Sequence, residues 1–207
     1  MHVLMVDDHL MFLQGLKNLL GVLAPSLRVD TSGGLSNALQ LAALSNYELV
    51  LLDWHLAECG GETSMRRLRD AGCAARIVVL SGETSAALIQ RAVDLGAAGF
   101  VPKSYTSEMM LAALGKVIAG QIFLPAEVLR LAAGTAAGTA GFDGLTSRQF
   151  DVYRAAARGL PNKLIARELG IAESTVKAHL TAVFAALGVR NRTEAAYQAS
   201  RDGLHVG

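Results

Sequence analysis

Short, continuously apolar runs alternate with stretches of helical period over the first 120 residues. Val3-Leu4-Met5-Val6, Leu49 to Leu52 and Ile77 to Leu80 read as strands, with Gly99-Phe100-Val101 a shorter candidate and Arg28 to Thr31 a weak one. The runs do not alternate apolar with polar, which is the pattern of strands buried on both faces. Between them Leu10 to Leu23, Leu35 to Leu44, Thr63 to Ala71, Ser85 to Leu95 and Thr106 to Ala119 carry apolar residues at helical spacing. Strands alternating one for one with helices predict a five-stranded parallel sheet of the doubly wound α/β class, with right-handed crossovers. Beyond residue 144 the pattern turns wholly helical. It predicts helices from Thr146 to about Arg158, Asn162 to Leu169, Glu173 to Leu187 and about Thr193 to Asp202, making an all-α four-helix domain. Thr146 and Gln149 have the spacing of a capping box, and Gly159, Gly170 and Gly188 stand where the first three helices should end.

The segment between these parts is different. Ala126 to Ala133 is a short apolar stretch suited to a linker helix, and Gly134 to Gly141 is too rich in glycine to hold one. The expected division is residues 1–121, a linker over 122–143, and a C-terminal domain over 144–207.

Composition narrows the class. Hydrophobic residues make up 52% and charged residues 18%, against disorder. The start, Met1-His2-Val3-Leu4, lacks the basic opening of a signal peptide, and the most apolar later stretch, Met109 to Leu124, is broken by Lys116 and Gln121. These features lead us to expect a cytoplasmic protein with no membrane partner. Cys59 and Cys73 have neither metal-ligand nor redox-pair spacing, and read as small apolar residues in a reducing compartment. The net charge of +1 hides an asymmetry: nine Lys/Arg stand against five Asp/Glu from Gly144 onward, and ten against thirteen before it. A basic end suits nucleic acid and an acidic one suits a cation.

Polar residues follow four of the apolar runs: Asp7-Asp8, Asp53, Ser81 and Lys103. In a parallel sheet these positions gather at the carboxyl ends of the strands, where such folds place ligands. Three carboxylates meeting there would repel one another unless a cation neutralised them, and hard oxygen donors suit Mg²⁺. Asp53 could then attack phosphorus in line and become an aspartyl phosphate. Lys103 offers positive charge to the phosphoryl oxygens and Ser81 a hydroxyl donor. Singly, each of these residues is more often a helix cap or a surface charge; what counts is their joint occurrence at one end of separate strands.

Residues 1 to about 120 resemble the receiver domain of response regulators, a flavodoxin-like fold. The resemblance rests on Asp7-Asp8, Leu51-Leu52-Asp53, Leu80-Ser81-Gly82 and Gly96 to Lys103, and the Val6-Asp7-Asp8-His9 opening is similar to the NarL/FixJ subfamily. It implies Asp53 as phosphoacceptor, Asp8 and Asp53 as direct Mg²⁺ ligands, Asp7 acting through water, and the backbone carbonyl of His55 completing the protein ligands. It also implies a switch in which Ser81 moves toward the phosphate and Phe100 rotates inward, with a sensor histidine kinase as donor. Two departures stand out. Ala57 occupies a position where the family usually has proline, so the loop after Asp53 is expected to be looser, and Leu13 replaces a common arginine. Trp54 is read as a packing residue.

On the third C-terminal helix Val176, Leu180, Val183 and Leu187 form the apolar stripe, while Ser174, Thr175, Lys177, Ala178 and Thr181 fall in the first turns away from it. Two short helices joined at a glycine, the second offering its N-terminal half, suit the DNA major groove. Asn162 belongs to the same surface, and Lys163, Lys177, His179 and Arg192 are candidates for phosphate contact. Charged faces on an ordinary bundle would look much the same in composition. The finer pattern does not: Gly159 to Ala166, Thr175 to His179, Leu187-Gly188-Val189 and Arg192 resemble the LuxR-type helix-turn-helix domain. That resemblance implies a reading helix for double-stranded DNA and a fourth helix able to pair two copies into a homodimer when active. Ala172, where a capping Ser or Thr is common, costs the third helix about 0.5–2 kcal/mol. Pro161, Ala185 and Ala186 also depart from the pattern, leaving fewer caps and fewer positive charges.

The function expected is that of a phosphorylation-switched transcription regulator and not an enzyme. One rival keeps DNA binding and uses the receiver only for dimerisation or ligand sensing. Another is an Mg²⁺-dependent phosphohydrolase, which would want a carboxylate two residues after the nucleophile; His55 stands there instead.

Overall fold

The computed structural model describes residues 1–125 and 145–204. The expected linker helix and the glycine-rich stretch after it lie outside the described residues. The chain divides into two compact units, Met1–Val117 and Ile118–Gly207.

In the first unit the sheet strands are β1 (His2–Val6), β2 (Arg28–Ser32), β3 (Leu49–Asp53), β6 (Arg76–Ser81) and β7 (Gly99–Pro102). They lie in the order β2-β1-β3-β6-β7, and every pairing is parallel. The runs that sequence marks as doubly buried are so: Val3 to Val6, Leu49 to Leu52 and Ile77 to Leu80 are at most 1% exposed. Helices α1 (Leu10–Leu23), α2 (Leu35–Leu44), α3 (Gly61–Asp70), α4 (Ala86–Asp94) and α5 (Ser107–Ile118) connect and follow the strands. Because β1 leads outward to β2 and the chain then returns to β3, the loops after β1 and β3 diverge, which opens a crevice at the carboxyl edge. An additional pair of two-residue strands, β4 (His55–Leu56) and β5 (Cys59–Gly60), is antiparallel and folds the loop after β3 back on itself.

The second unit contains α6 (Ser147–Ala157), α7 (Asn162–Leu169), α8 (Glu173–Leu187) and α9 (Arg192–Arg201). Thr146 and Gln149 form the reciprocal capping box that their spacing predicts, with Gln149 N–H on Thr146 Oγ1 at 3.2 Å and Thr146 N–H on Gln149 Oε1 at 2.8 Å. Gly170 and Gly188 end α7 and α8 at φ of 65° and 66°, a left-handed turn that glycine takes without a Cβ penalty. The apolar stripe of α8 serves two clusters. Val176 and Leu180 pack with Val152, Ala155, Ala156 and Ile165, whereas Val183 packs with Tyr153, Val189 and Ala195. Ala172 leaves α8 without a side-chain cap, as its sequence requires.

Candidate functional site

The sheet ladder carries the reactive residues to one place. Asp53 and Ser81 are the last residues of β3 and β6, not the first beyond them, and Asp7 and Lys103 directly follow β1 and β7. Backbone bonds extend the ladder into the site: Asp7 N–H to Ser32 O at 3.0 Å, Trp54 N–H to Leu80 O at 2.9 Å and Lys103 N–H to Ser81 O at 2.7 Å. Oxygens of Asp7, Asp8 and Asp53 and a nitrogen of His9 therefore lie within 4.8 Å of one another.

The electrostatics follow from burial. Asp7 and Asp53 are 1% exposed, and the Lys103 ammonium spans them, 2.7 Å from Asp7 Oδ2 and 2.9 Å from Asp53 Oδ2. His9 Nδ1 stands 2.9 Å from Asp8 Oδ1 and 3.1 Å from Asp7 Oδ1. Asp7 Oδ2, Asp8 Oδ1 and Asp53 Oδ2 are buried and lie against the Lys103 ammonium and the His9 ring instead of aligned hydrogen-bond donors. Such a set of hard anionic oxygens fits a small divalent cation. An opening of about 460 Å³ leads to Asp53 past His9, Met11, Phe12, His55, Gly82 and Lys103, and the Lys103 ammonium also lies 4.9 Å from the centre of the Phe12 ring.

Two other expected site residues are those of the switch that the resemblance implies. Phe100, expected to turn inward, is already wholly buried, and the buried Ser81 Oγ accepts the Glu83 N–H at 3.0 Å. The His55 imidazole faces solvent with Glu83 3.8 Å away, while its backbone N–H donates to Asp53 Oδ1 at 3.2 Å. The loop after Asp53 carries hydrogen bonds of its own. Ala57 N–H donates to Asp8 Oδ2 at 2.9 Å, and Glu58 Oε2 accepts both the backbone N–H and the hydroxyl of Ser36 at 3.1 Å each. Trp54 packs over Gly61, where a Cβ would come within 2.3 Å of the indole.

In the helical unit, Lys163, Thr175, Lys177, Ala178 and Thr181 are exposed on α7 and α8, and His179 is half-buried. Ser174 belongs to the first turn of α8. Lys177 lies 3.9 Å from Glu173, and the Thr181 hydroxyl donates to the Lys177 carbonyl at 3.0 Å. Arg192 does not join this surface. Its guanidinium turns inward to donate to Asn162 Oδ1 at 2.8 Å, to Leu160 O and to Ala156 O at 3.5 Å. Burial pulls its pKa down to about 10, so it remains charged at neutral pH. Its contacts are those of a strut between helices, and they also occupy the Asn162 carbonyl oxygen.

Comparison with known proteins matches residues 3–115 to the response regulator receiver domain and residues 143–199 to the luxR family of bacterial regulatory proteins. This chain is a NarL-type two-component response regulator. The regulator is 34% identical to the nitrate/nitrite response regulator protein NarL of Escherichia coli, over 94% of this chain and 92% of that one. It is 33% identical to the transcriptional activator protein ExaE of Pseudomonas putida, over 99% and 98% of the two chains. Among solved structures it is similar to the RcsB response regulator of Salmonella typhimurium, with a TM-score of 0.52 and 26% identity over 92% of this chain and 94% of that one. The regulator thus joins a receiver to a DNA-binding helix-turn-helix, and no helix among its described residues is long and apolar enough to cross a membrane.

Proposed function

We propose that this regulator is a cytoplasmic transcription factor whose receiver takes a phosphoryl group onto Asp53 from a sensor histidine kinase and whose phosphorylated form binds double-stranded DNA as a homodimer. The observation that carries this reading is the Lys103 ammonium lying between Asp7 and Asp53 at the switch point of the sheet, with Asp8 beside them. Mg²⁺ held by Asp8, Asp53 and the His55 carbonyl, with Asp7 acting through water, would supply charge to the phosphoryl oxygens. Lys103 neutralises the same oxygens from the other side, and Ser81 gives up its bond from Glu83 N–H to reach the phosphate. Phe100, wholly buried, holds the inward position in which that switch ends.

For DNA we assign Lys163, Ser174, Thr175, Lys177, Ala178 and Thr181 to the reading surface, with His179 at its margin and Asn162 contributing its amide N–H₂. Arg192 is assigned to support of that surface. The domain boundaries that suit these roles are a receiver ending near residue 121 and a helix-turn-helix domain beginning near 144.

The direct test is DNA binding by the full chain, against a duplex selected from a random pool, with and without acetyl phosphate and Mg²⁺. Phosphodonor treatment is expected to tighten binding on the order of tenfold. Equal affinity in both conditions overturns the switch and leaves a regulator that works without phosphate.

Lys103 gives a second expectation. In Lys103→Met the carboxylates lose their internal cation, and stability in a chelator should fall by about 3–5 kcal/mol. Saturating Mg²⁺ should then raise the melting temperature more in this variant than in the wild type, because the emptier cluster attracts the ion more strongly. Calorimetry with chelator and with Mg²⁺ reads both effects, and an equal Mg²⁺ shift in the two proteins would refute the assignment.

A further inference from the structure

The loop after Asp53 sorts the oxygens of two carboxylates. His55 N–H donates to Asp53 Oδ1 at 3.2 Å, and two residues later Ala57 N–H donates to Asp8 Oδ2 at 2.9 Å. His55 and Leu56 are extended, and in extended chain successive N–H groups point to opposite sides. Amides two residues apart therefore reach toward the same cluster. Each carboxylate spends one oxygen on the loop and turns the other, Asp53 Oδ2 or Asp8 Oδ1, into the buried acidic site.

The loop is built to hold this position. The β4–β5 ladder pairs His55 with Gly60 and Leu56 with Cys59, and Gly61 N–H closes it on Trp54 O at 2.7 Å. Glu58 pins the tip to the start of α2 through Ser36, and its approach is so close that a Cβ at Gly34 would lie 2.1 Å from Glu58 Oε1.

We propose that the backbone N–H of Ala57 is a positioning group for Asp8, fixing its carboxylate so that Oδ1 is presented to the divalent cation. The inference rests on the Mg²⁺ reading above and adds a determinant particular to this sequence, since proline, the residue expected here by resemblance, has no N–H to give. A bond of this kind, made to a ligand and not to the ion, orders the ligand before the ion arrives, and its loss commonly weakens metal affinity by tenfold or more. The Ala57 side chain is exposed and contributes nothing to the effect.

The test is calorimetric titration of Mg²⁺ into the full chain as wild type, Ala57→Pro, Ala57→Gly, and an ester analogue with L-lactic acid in place of Ala57. The ester removes the N–H without proline's ring, so a folding defect peculiar to Ala57→Pro leaves the question answerable. Affinity should fall about tenfold in Ala57→Pro and in the ester, and stay within about twofold of wild type in Ala57→Gly, which keeps the donor. Unfolding midpoints in chelator should not follow that order. Wild-type affinity in the ester, or an equal loss in Ala57→Gly, overturns the role of the N–H while sparing the metal site. No Mg²⁺ binding by the wild type overturns the metal reading, and this inference with it.

Discussion

Asp53→Asn is expected to take up no phosphoryl group from acetyl phosphate while remaining as stable in a chelator as the wild type, within about 1 kcal/mol. The first half follows from the nucleophile. An amide oxygen carries no negative charge to attack phosphorus, and loss of a covalent nucleophile lowers rates by orders of magnitude. The second half follows from the surroundings. The substituted amide would retain a carbonyl oxygen for the His55 N–H, and Lys103 would retain Asp7 at 2.7 Å. One attraction to Lys103 disappears, but so does the repulsion among Asp53, Asp7 and Asp8, and the two changes oppose each other. Intact-protein mass spectrometry after acetyl phosphate and Mg²⁺, beside unfolding in chelator, reads both halves. A folded Asp53→Asn that still gains one phosphoryl mass would move the acceptor to another residue. An unfolded one would mean that the Lys103–Asp53 contact is structural above all.

The receiver is legible in sequence because its signals are local. A doubly buried strand must be apolar along its length, so Val3 to Val6, Leu49 to Leu52 and Ile77 to Leu80 announce themselves. The residues at their ends then locate the site, and Lys103 between Asp7 and Asp53 is where the pattern puts it. The loop after Asp53 is not legible in this way. Strands of two residues have no periodicity to read, and the bond from Ala57 to Asp8 joins positions 49 apart. A missing proline suggests looseness, whereas the freed N–H is an anchor. In the helical unit the caps and stripes are local and read correctly, as the Thr146–Gln149 box shows. Arg192 does not, because a basic residue in a basic domain reads as a phosphate ligand unless its acceptors are known. Those acceptors belong to Ala156, Leu160 and Asn162, each at least 30 residues away in sequence.

That reassignment carries the last large prediction. Arg192 opens α9, and its guanidinium donates to carbonyls at the end of α6 and just beyond it, and to Asn162 at the start of α7. Ala156 O also accepts the Gly159 N–H at 2.9 Å, so the acceptors that depend on this side chain are Leu160 O, just past the end of α6, and Asn162 Oδ1. Arg192→Ala leaves Leu160 O and Asn162 Oδ1 without their donor, at a cost of about 1–3 kcal/mol each to the helical unit. A domain of this size has little more than that in reserve. Arg192→Lys should recover only part of the loss, because an ammonium cannot fork toward several acceptors in one plane. Calorimetry of the full chain should show the helical unit melting early, while phosphoryl uptake at Asp53 stays normal because the receiver is untouched. DNA binding would fail with the fold. If Arg192 were instead a phosphate contact, the variant would melt like the wild type, bind every duplex more weakly, and lose about one unit from the salt dependence of binding. The two accounts thus differ in an observable that needs no DNA at all, and a melt unchanged by Arg192→Ala would return the residue to the DNA surface.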